Sequence, residues 1–271
     1  MNYKLISMDF DGTLLTSDKK VTQRTKDVLL KYKNNNHIIV GITGRNLSSA
    51  KSVLDINIFD YLILCDGAYI YDINNEDIVS SNNINQKRII DITNYFENIA
   101  KRIHYCSMNN YYIYKDRTID NKDFLIPVKN IEEIKEDIGK INIFLEGNGD
   151  KEIKTYKEYI ESNFDTLDAL VMLDSDDKYE KKWIVVNNKG INKYETLKEL
   201  CLKLNISVDE VIFFGDSTND LSIMSRVGIG VAMGNALQEV RNQAKEITLS
   251  NDEDGIAVFL ENFQECCSIK K

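Results

Sequence analysis

The chain has 271 residues, 43% of them hydrophobic and 28% charged, with a net charge of -9 and a pI near 4.9. That length supports one or two well-buried domains, and an acidic balance without a dense Lys/Arg patch argues against nucleic acid as a partner while leaving room for a small anionic ligand in a local pocket. Charges break every long apolar window, so no membrane span is expected, and Cys65, Cys106, Cys201, Cys266 and Cys267 form no C-x-x-C pair, which with the lack of a leader pattern predicts reduced thiols and a cytoplasmic location.

The first element is strand Lys4–Met8, whose apolar run ends in Asp9-Phe10-Asp11-Gly12-Thr13-Leu14-Leu15. Gly12-Thr13 supplies a sharp turn. Residues i and i+2 of an extended segment point to one side, so Asp9 and Asp11 bring two carboxylates together. One would be pushed toward protonation unless a cation shared them. The pattern suggests a divalent metal, a nucleophile beside an acid, or both. A single Asp at such a place is ordinarily a cap or turn former.

A helix from Thr22 to Lys33 follows, with Thr22 as N-cap and Val28, Leu29 and Tyr32 as its apolar stripe. His37–Gly41 is a second strand. Thr43-Gly44-Arg45 directly after it offers a hydroxyl and a glycine N–H at a strand end, where open α/β sheets bind ligands. The ordinary alternative is an N-cap and helix start, since a helix is predicted over Leu47–Leu54. Tyr61–Cys65 is the third strand and ends at Asp66-Gly67. Strands alternating with helices predict βαβ units and a parallel sheet.

After Ser80 the texture changes. Helices are predicted at Ile89–Ala100, Ile131–Ile138 and Ile153–Ile160, and strands at Tyr111–Lys115, Ile141–Leu145, Ala169–Leu173 and Trp183–Val186. The parallel pattern resumes with helix Tyr194–Leu204, strand Val211–Phe214, a helix from Ser217 to Ser225, strand Ile229–Ala232 and helix Leu237–Ala244. The expected fold is α/β: a Rossmann-like parallel-sheet core made of residues 1–82 plus 187–271, interrupted by an inserted α+β domain over residues 83–186.

Gly215-Asp216-Ser217-Thr218-Asn219-Asp220 follows a buried strand as Asp9 does, and one helical turn would bring Asp216 and Asp220 together. This reads either as a capping arrangement or, with Asp9 and Asp11, as four acids on one edge that call for an oxygen-liking cation such as Mg²⁺. Lys193 opens the resumed core and would balance a phosphoryl group; elsewhere such a lysine is a solvated surface group. Gly228–Gly234 (GIGVAMG) is neither G-x-G-x-x-G nor a P-loop, and its glycines read as turn and packing residues. His37 and His104 sit at no ligand spacing.

Asp9–Leu15, Thr43–Arg45, Lys193 and Gly215–Asp220, in this order, resemble the haloacid dehalogenase-like superfamily of phosphatases. Gly230–Ala236 (GVAMGNA), with Glu239-Val240 and Ala244 after it, and Asn251–Ala257 (NDEDGIA) are similar to its Cof-type subgroup, whose insert is a large α/β cap. The resemblance implies a Mg²⁺-dependent phosphatase of small phosphate monoesters, sugar phosphates or cofactor-like phosphates. It equally accommodates a phosphotransferase or phosphomutase on the same scaffold. Asp9 would be the nucleophile that forms an aspartyl-phosphate, and Asp11 the acid and then the base. Thr43 and Gly44 would hold phosphoryl oxygens, Lys193 would offset their charge, and Asn219 would touch phosphate or help place Lys193. Mg²⁺ would sit on the Asp9 carboxylate, the Asp11 backbone carbonyl and Asp216, with Asp220 orienting metal-bound water. Cap loops around Asn109–Lys115 and Ser175–Lys182 would contact substrate. Two departures stand out: Asp66 where the family often has Asn, and Tyr194 where Gly often follows the lysine, which leaves Lys189 as the alternative to Lys193.

Overall fold

The computed structural model describes residues 3–114, 123–145, 150–173 and 182–268. The expected loop Ser175–Lys182 lies largely outside them, as does Lys115 at the end of Asn109–Lys115. In chain order the first elements are β1 (Leu5–Asp9), α1 (Gln23–Asn34), β2 (Ile38–Ile42), α2 (Leu47–Lys51), β3 (Tyr61–Leu64), β4 (Tyr69–Asp72) and β5 (Asp77–Ser81). Next come α3 (Gln86–Phe96), β6 (Ala100–Cys106), β7 (Tyr111–Tyr114), β8 (Leu125–Val128), β9 (Lys140–Leu145), α4 (Asp150–Asn163), β10 (Leu167–Leu173) and β11 (Lys182–Asn188). The chain ends with α5 (Lys193–Lys203), β12 (Val211–Gly215), α6 (Leu221–Met224), β13 (Ile229–Ala232), α7 (Gln238–Gln243), β14 (Glu246–Ile247) and α8 (Gly255–Ser268). Among the described residues no helix is long and apolar enough to cross a membrane.

The chain divides into two compact units. Residues 1–44, 50–79 and 192–271 form the first, and residues 45–49 and 80–191 the second. These limits differ by a few residues from those the sequence predicts. β11 runs to Asn188 instead of stopping at Val186, and Gly190, at φ +79°, ends the turn after it.

The first unit carries the sheet β14-β13-β12-β1-β2-β3-β4-β5. From β14 to β3 every pairing is parallel, and β4 returns antiparallel on β3. β1 lies between β12 and β2, so the strand order reverses beside it, and such a switch point opens a crevice at the carboxyl ends of the strands. All five residues of β1 are buried, as a strand covered on both faces requires. Thr22 caps α1 by accepting from Thr25 N at 3.2 Å, and Val28, Leu29 and Tyr32 are its buried stripe.

The second unit carries the sheet β10-β11-β9-β6-β7-β8, antiparallel except for the β7–β8 pair. Its own core includes Ile92 and Phe96 of α3, Ile153 and Ile160 of α4, and Ile103, Tyr105, Ile141, Ile143, Ile184 and Val186 of the sheet. Two expectations change here. Ile131–Ile138 is no α-helix: Asn130 and Glu133 form a capping box around a single turn, Ile131–Glu133, and Ile134 is extended at φ -80°, ψ 118°. The helix predicted over Ile89–Ala100 ends at Phe96, and the chain turns into β6 at Ala100.

Candidate active site

Four segments of the first unit deliver side chains to the carboxyl ends of its central strands. Asp9 is the last residue of β1 and Gly215 the last of β12, so Asp9 and Asp216 emerge from neighbouring strands. Asp220 closes the short turn Thr218–Asp220 that follows, where its Oδ2 accepts from Asp216 N at 3.0 Å and Ser217 N at 3.2 Å. Lys193 is the first residue of α5, whose N-cap, Asn192, accepts from Tyr194 N and Glu195 N. α5 is fixed by Gly67, where φ is +111° and a Cβ would come within 2.8 Å of Asn192 O. The Gly67 carbonyl accepts from Thr196 Oγ1 at 2.9 Å.

These elements converge on one ammonium. Lys193 Nζ lies 2.6 Å from Asp9 Oδ1 and 2.8 Å from Asp220 Oδ1, and the lysine is only 2% exposed. Burial alone would lower its pKa, but Asp220 and Asp9, helped by Asp66, outweigh burial and raise it well above the usual lysine range. Burial raises the Asp9 pKa well above the carboxylate range; Lys193 opposes the rise while Asp220 and Asp216 add to it. Asp216 is pushed up to about 6, by burial first and Asp220 second, against the hydrogen bond from Thr13. Asp9, Asp216 and Asp220 each offer an oxygen within 4.8 Å of the others.

Three carboxylates gather around one ammonium, and all the donor atoms are hard oxygens. That set fits a small divalent cation such as Mg²⁺. Asp220 has both oxygens engaged by Lys193 and by backbone N–H groups. Asp9 and Asp216 each have a second oxygen without a described protein hydrogen bond, which suits them better as direct ligands.

The structure brings together Asp9, Asp216, Asp220 and Lys193, four of the residues singled out in the sequence. Asp11, two residues beyond Asp9, has a half-exposed carboxylate 3.1 Å from Lys19 Nζ, outside the three-carboxylate cluster. Thr43 is buried directly after β2; its N–H donates to Ile63 O at 2.9 Å and its carbonyl accepts from Asp66 N at 3.1 Å. A Cβ on Gly44 would stand 3.1 Å from both carboxylate oxygens of Asp66, so Asp66 lies across the Thr43-Gly44 turn. Asp66 itself is left-handed at φ 57°, a conformation that Asp and Asn tolerate better than most residues. Asn219 is turned back on Ser217 Oγ and makes no described contact with Lys193. Lys193, and not Lys189, meets Asp9; Lys189 is exposed in a turn after β11.

Sequence reasoning missed the residues that brace this cluster. Thr13 Oγ1 donates to Asp216 Oδ1 at 2.6 Å from a fully buried position. Gly12, at φ +83°, leaves room for that same carboxylate, which any Cβ would strike. Asn235 Nδ2 donates to Gly12 O at 2.8 Å, and Asn251 Nδ2 to Leu15 O at 2.8 Å. Both asparagines stand in the stretches GVAMGNA and NDEDGIA, but nothing in one-dimensional spacing ties those stretches to the Gly12–Leu15 loop.

Comparison with known proteins gives the family. A family model described as haloacid dehalogenase-like hydrolase matches residues 6–260. Phosphatase YwpJ of Bacillus subtilis (strain 168) is 26% identical over 288 residues, covering 96% of this chain and 99% of that protein. The 5-amino-6-(5-phospho-D-ribitylamino)uracil phosphatase YitU of the same organism is 24% identical over 275 residues, covering 96% and 97%. A solved haloacid dehalogenase-like hydrolase from Bacteroides thetaiotaomicron shares the fold with a TM-score of 0.80 at 24% identity, covering 97% of this chain and 100% of that one. With a family match that spans both segments of the parallel-sheet unit and phosphatases among its full-length relatives, the chain belongs to the haloacid dehalogenase-like hydrolases and is a phosphatase of that family.

Proposed function

We propose that this phosphatase hydrolyses small phosphate monoesters of the sugar-phosphate or cofactor-phosphate kind, in a Mg²⁺-dependent reaction through an aspartyl-phosphate on Asp9. The observation that carries the reading is the buried Lys193 ammonium, 2.6 Å from Asp9 Oδ1 at the carboxyl end of β1. It opposes the rise that burial gives the Asp9 pKa, and supplies positive charge where a phosphoryl group needs it.

An oxygen of Asp9 attacks phosphorus, and the ester oxygen leaves with a proton from Asp11. The Asp11 carboxylate then takes a proton from water as that water attacks the aspartyl-phosphate, which releases phosphate and restores Asp9. Thr43, Gly44 and Asn219 hold phosphoryl oxygens, and Asp220 keeps Lys193 aimed at Asp9. Mg²⁺, held by Asp9, Asp216 and the Asp11 carbonyl, would offset the charge on the phosphoryl oxygens. The inserted α+β unit is the cap that selects the ester. The substrate named for the relative YitU carries its phosphate on a ribityl chain, which supports a hydroxylated leaving alcohol.

The test is phosphate release from a panel of hexose phosphates, erythrose 4-phosphate, phosphoglycolate, flavin mononucleotide and pyridoxal phosphate. Release should require Mg²⁺ and stop with EDTA. Asp9→Asn should abolish turnover and leave the circular dichroism spectrum intact. Near-normal activity in that variant would remove Asp9 as the nucleophile.

A further inference from the structure

The segment after β1 folds through two consecutive turns. In the first, Leu15 N donates to Phe10 O at 2.8 Å, and Leu15 bridges back to Asp11. In the second, Thr16 N donates to Lys20 O at 2.9 Å and Lys19 N to Thr16 O at 2.8 Å, which closes a three-residue loop, Ser17-Asp18-Lys19. Such a loop needs a left-handed residue at its last position, where glycine meets no steric penalty. This chain places Lys19 there, at φ +58°. The loop is anchored from the far end of the chain, because Asp252 accepts from Ser17 N at 2.8 Å and from Ser17 Oγ at 2.7 Å. From that position Lys19 Nζ donates to Asp11 Oδ1 at 3.1 Å.

Folding does not explain the lysine. Its pair with Asp11 is exposed on both sides, and such pairs contribute little to stability. Glycine or asparagine would take the left-handed conformation with less strain. Thr16, Ser17 and Lys20 close and anchor the loop through contacts that need no ammonium at residue 19. What the ammonium adds is a direction for Asp11. The Asp11 carboxylate is near enough to Asp216 for the two negative charges to act on each other. Repulsion turns Asp11 away from the cluster but fixes no single rotamer, whereas a charge-assisted hydrogen bond from an anchored loop does.

We propose that Lys19 is a positioning residue, whose ammonium holds the Asp11 carboxyl group in place for proton transfer to the ester oxygen. The inference rests on the reading of Asp11 as acid and base. In the step it serves, the bond from Asp9 to phosphorus forms, the bond from phosphorus to the ester oxygen breaks, and the proton of Asp11 goes to the departing oxygen. Lys19 acts through Asp11 alone.

Phenyl phosphate and para-nitrophenyl phosphate differ little in shape, but phenoxide leaves poorly without a proton and nitrophenoxide leaves readily without one. With Mg²⁺, kcat/KM is measured on both esters for the wild-type chain, Lys19→Gly, Asp11→Asn and the double variant. Lys19→Gly should lose about tenfold on phenyl phosphate and much less on the nitrophenyl ester. Its melting temperature should stay close to that of the wild type, since glycine suits the left-handed position. In the Asp11→Asn background the same change should leave the ratio of the two esters where Asp11→Asn put it, as expected of a residue that acts through Asp11. Equal losses on both esters, a ratio that moves in favour of phenyl phosphate, or a further fall in the double variant overturns the proposal. So does a clearly lower melting temperature, which would mark the ion pair as structural. If Asp11→Asn keeps the wild-type ratio, the acid reading of Asp11 fails and the proposal with it. If Asp11→Asn lowers the ratio and Lys19→Gly does not, the proposal alone fails.

Discussion

Lys193 compensates two buried carboxylates at once, Asp9 at 6% and Asp220 at 0% exposure. Truncation leaves uncompensated charge in a low-dielectric interior, a change that typically costs about 3–5 kcal/mol. Lys193→Ala should therefore lower the urea midpoint of the protein in EDTA by that order as well as abolish turnover. Urea titration followed by circular dichroism checks it, and an unchanged midpoint would mean that the carboxylates take up protons at little cost. A quieter signal comes from Cys201 on α5, 1% exposed, whose thiol burial pushes up to about 11 from an ordinary value near 9. Below pH 9 both folded and unfolded chains keep this proton. Between pH 9 and 11 the unfolded chain releases it first, so the unfolded state binds fewer protons and stability falls as pH rises. Cys201→Ala should lack that part of the decline, read as urea midpoints at pH 8 and pH 10.5 for the two proteins.

At the scale of elements, the Gly12–Leu15 loop is held from the far end of the chain. Asn235 and Asn251 donate to Gly12 O and Leu15 O, and Asn251 N donates to Asn235 Oδ1 at 3.1 Å. α8, which follows, is tied to α1 where Tyr32 Oη donates to Leu260 O at 2.8 Å. Removing one amide should loosen the loop that carries Thr13 to Asp216 without emptying a core. Asn251→Ala is expected to lower kcat severalfold, with a loss of about 1 kcal/mol in stability. Steady-state kinetics beside a melt would show it, and a loss confined to KM would assign Asn251 to ligand contact instead. None of this is legible from spacing, because residues 235 and 251 meet residues 12 and 15 only after the parallel sheet has formed. What is legible are the mostly buried central strands, since β2, β3 and β12 are apolar runs and β1 is interrupted only by Ser7 before it ends at Asp9. The four-residue strands β4 and β8 are harder to read, since β4 ends in Asp72 and β8 holds Pro127. Ile131, Ile134 and Ile138 imitate helical spacing, yet they reach the core from an irregular segment, with Ile84 N donating to Ile138 O at 2.7 Å. Asp9, Asp216 and Lys193 were readable because each stands at a strand end or helix start. Thr13 was not, because its partner is 203 positions away.

Each unit has a hydrophobic core of its own, Phe213, Phe214 and Ile6 among the buried residues of one, Phe96, Tyr105 and Ile160 among those of the other. Two cores joined by four chain crossings are expected to unfold as separate cooperative bodies. The chain supplies a local probe for this, because its sole tryptophan belongs to the inserted unit, while far-UV circular dichroism reads helices and strands of both. Phe96 is fully buried, and Phe96→Ala should remove about 3–5 kcal/mol from the inserted unit. In a urea titration of that variant, Trp183 emission should move to a clearly lower midpoint. A substantial part of the circular dichroism transition should remain where it stands in the wild-type chain. Phe213→Ala should do the reverse, shifting the dichroism component of the parallel sheet and leaving the Trp183 transition nearly fixed. If both probes shift together in either variant, the two cores form one cooperative body.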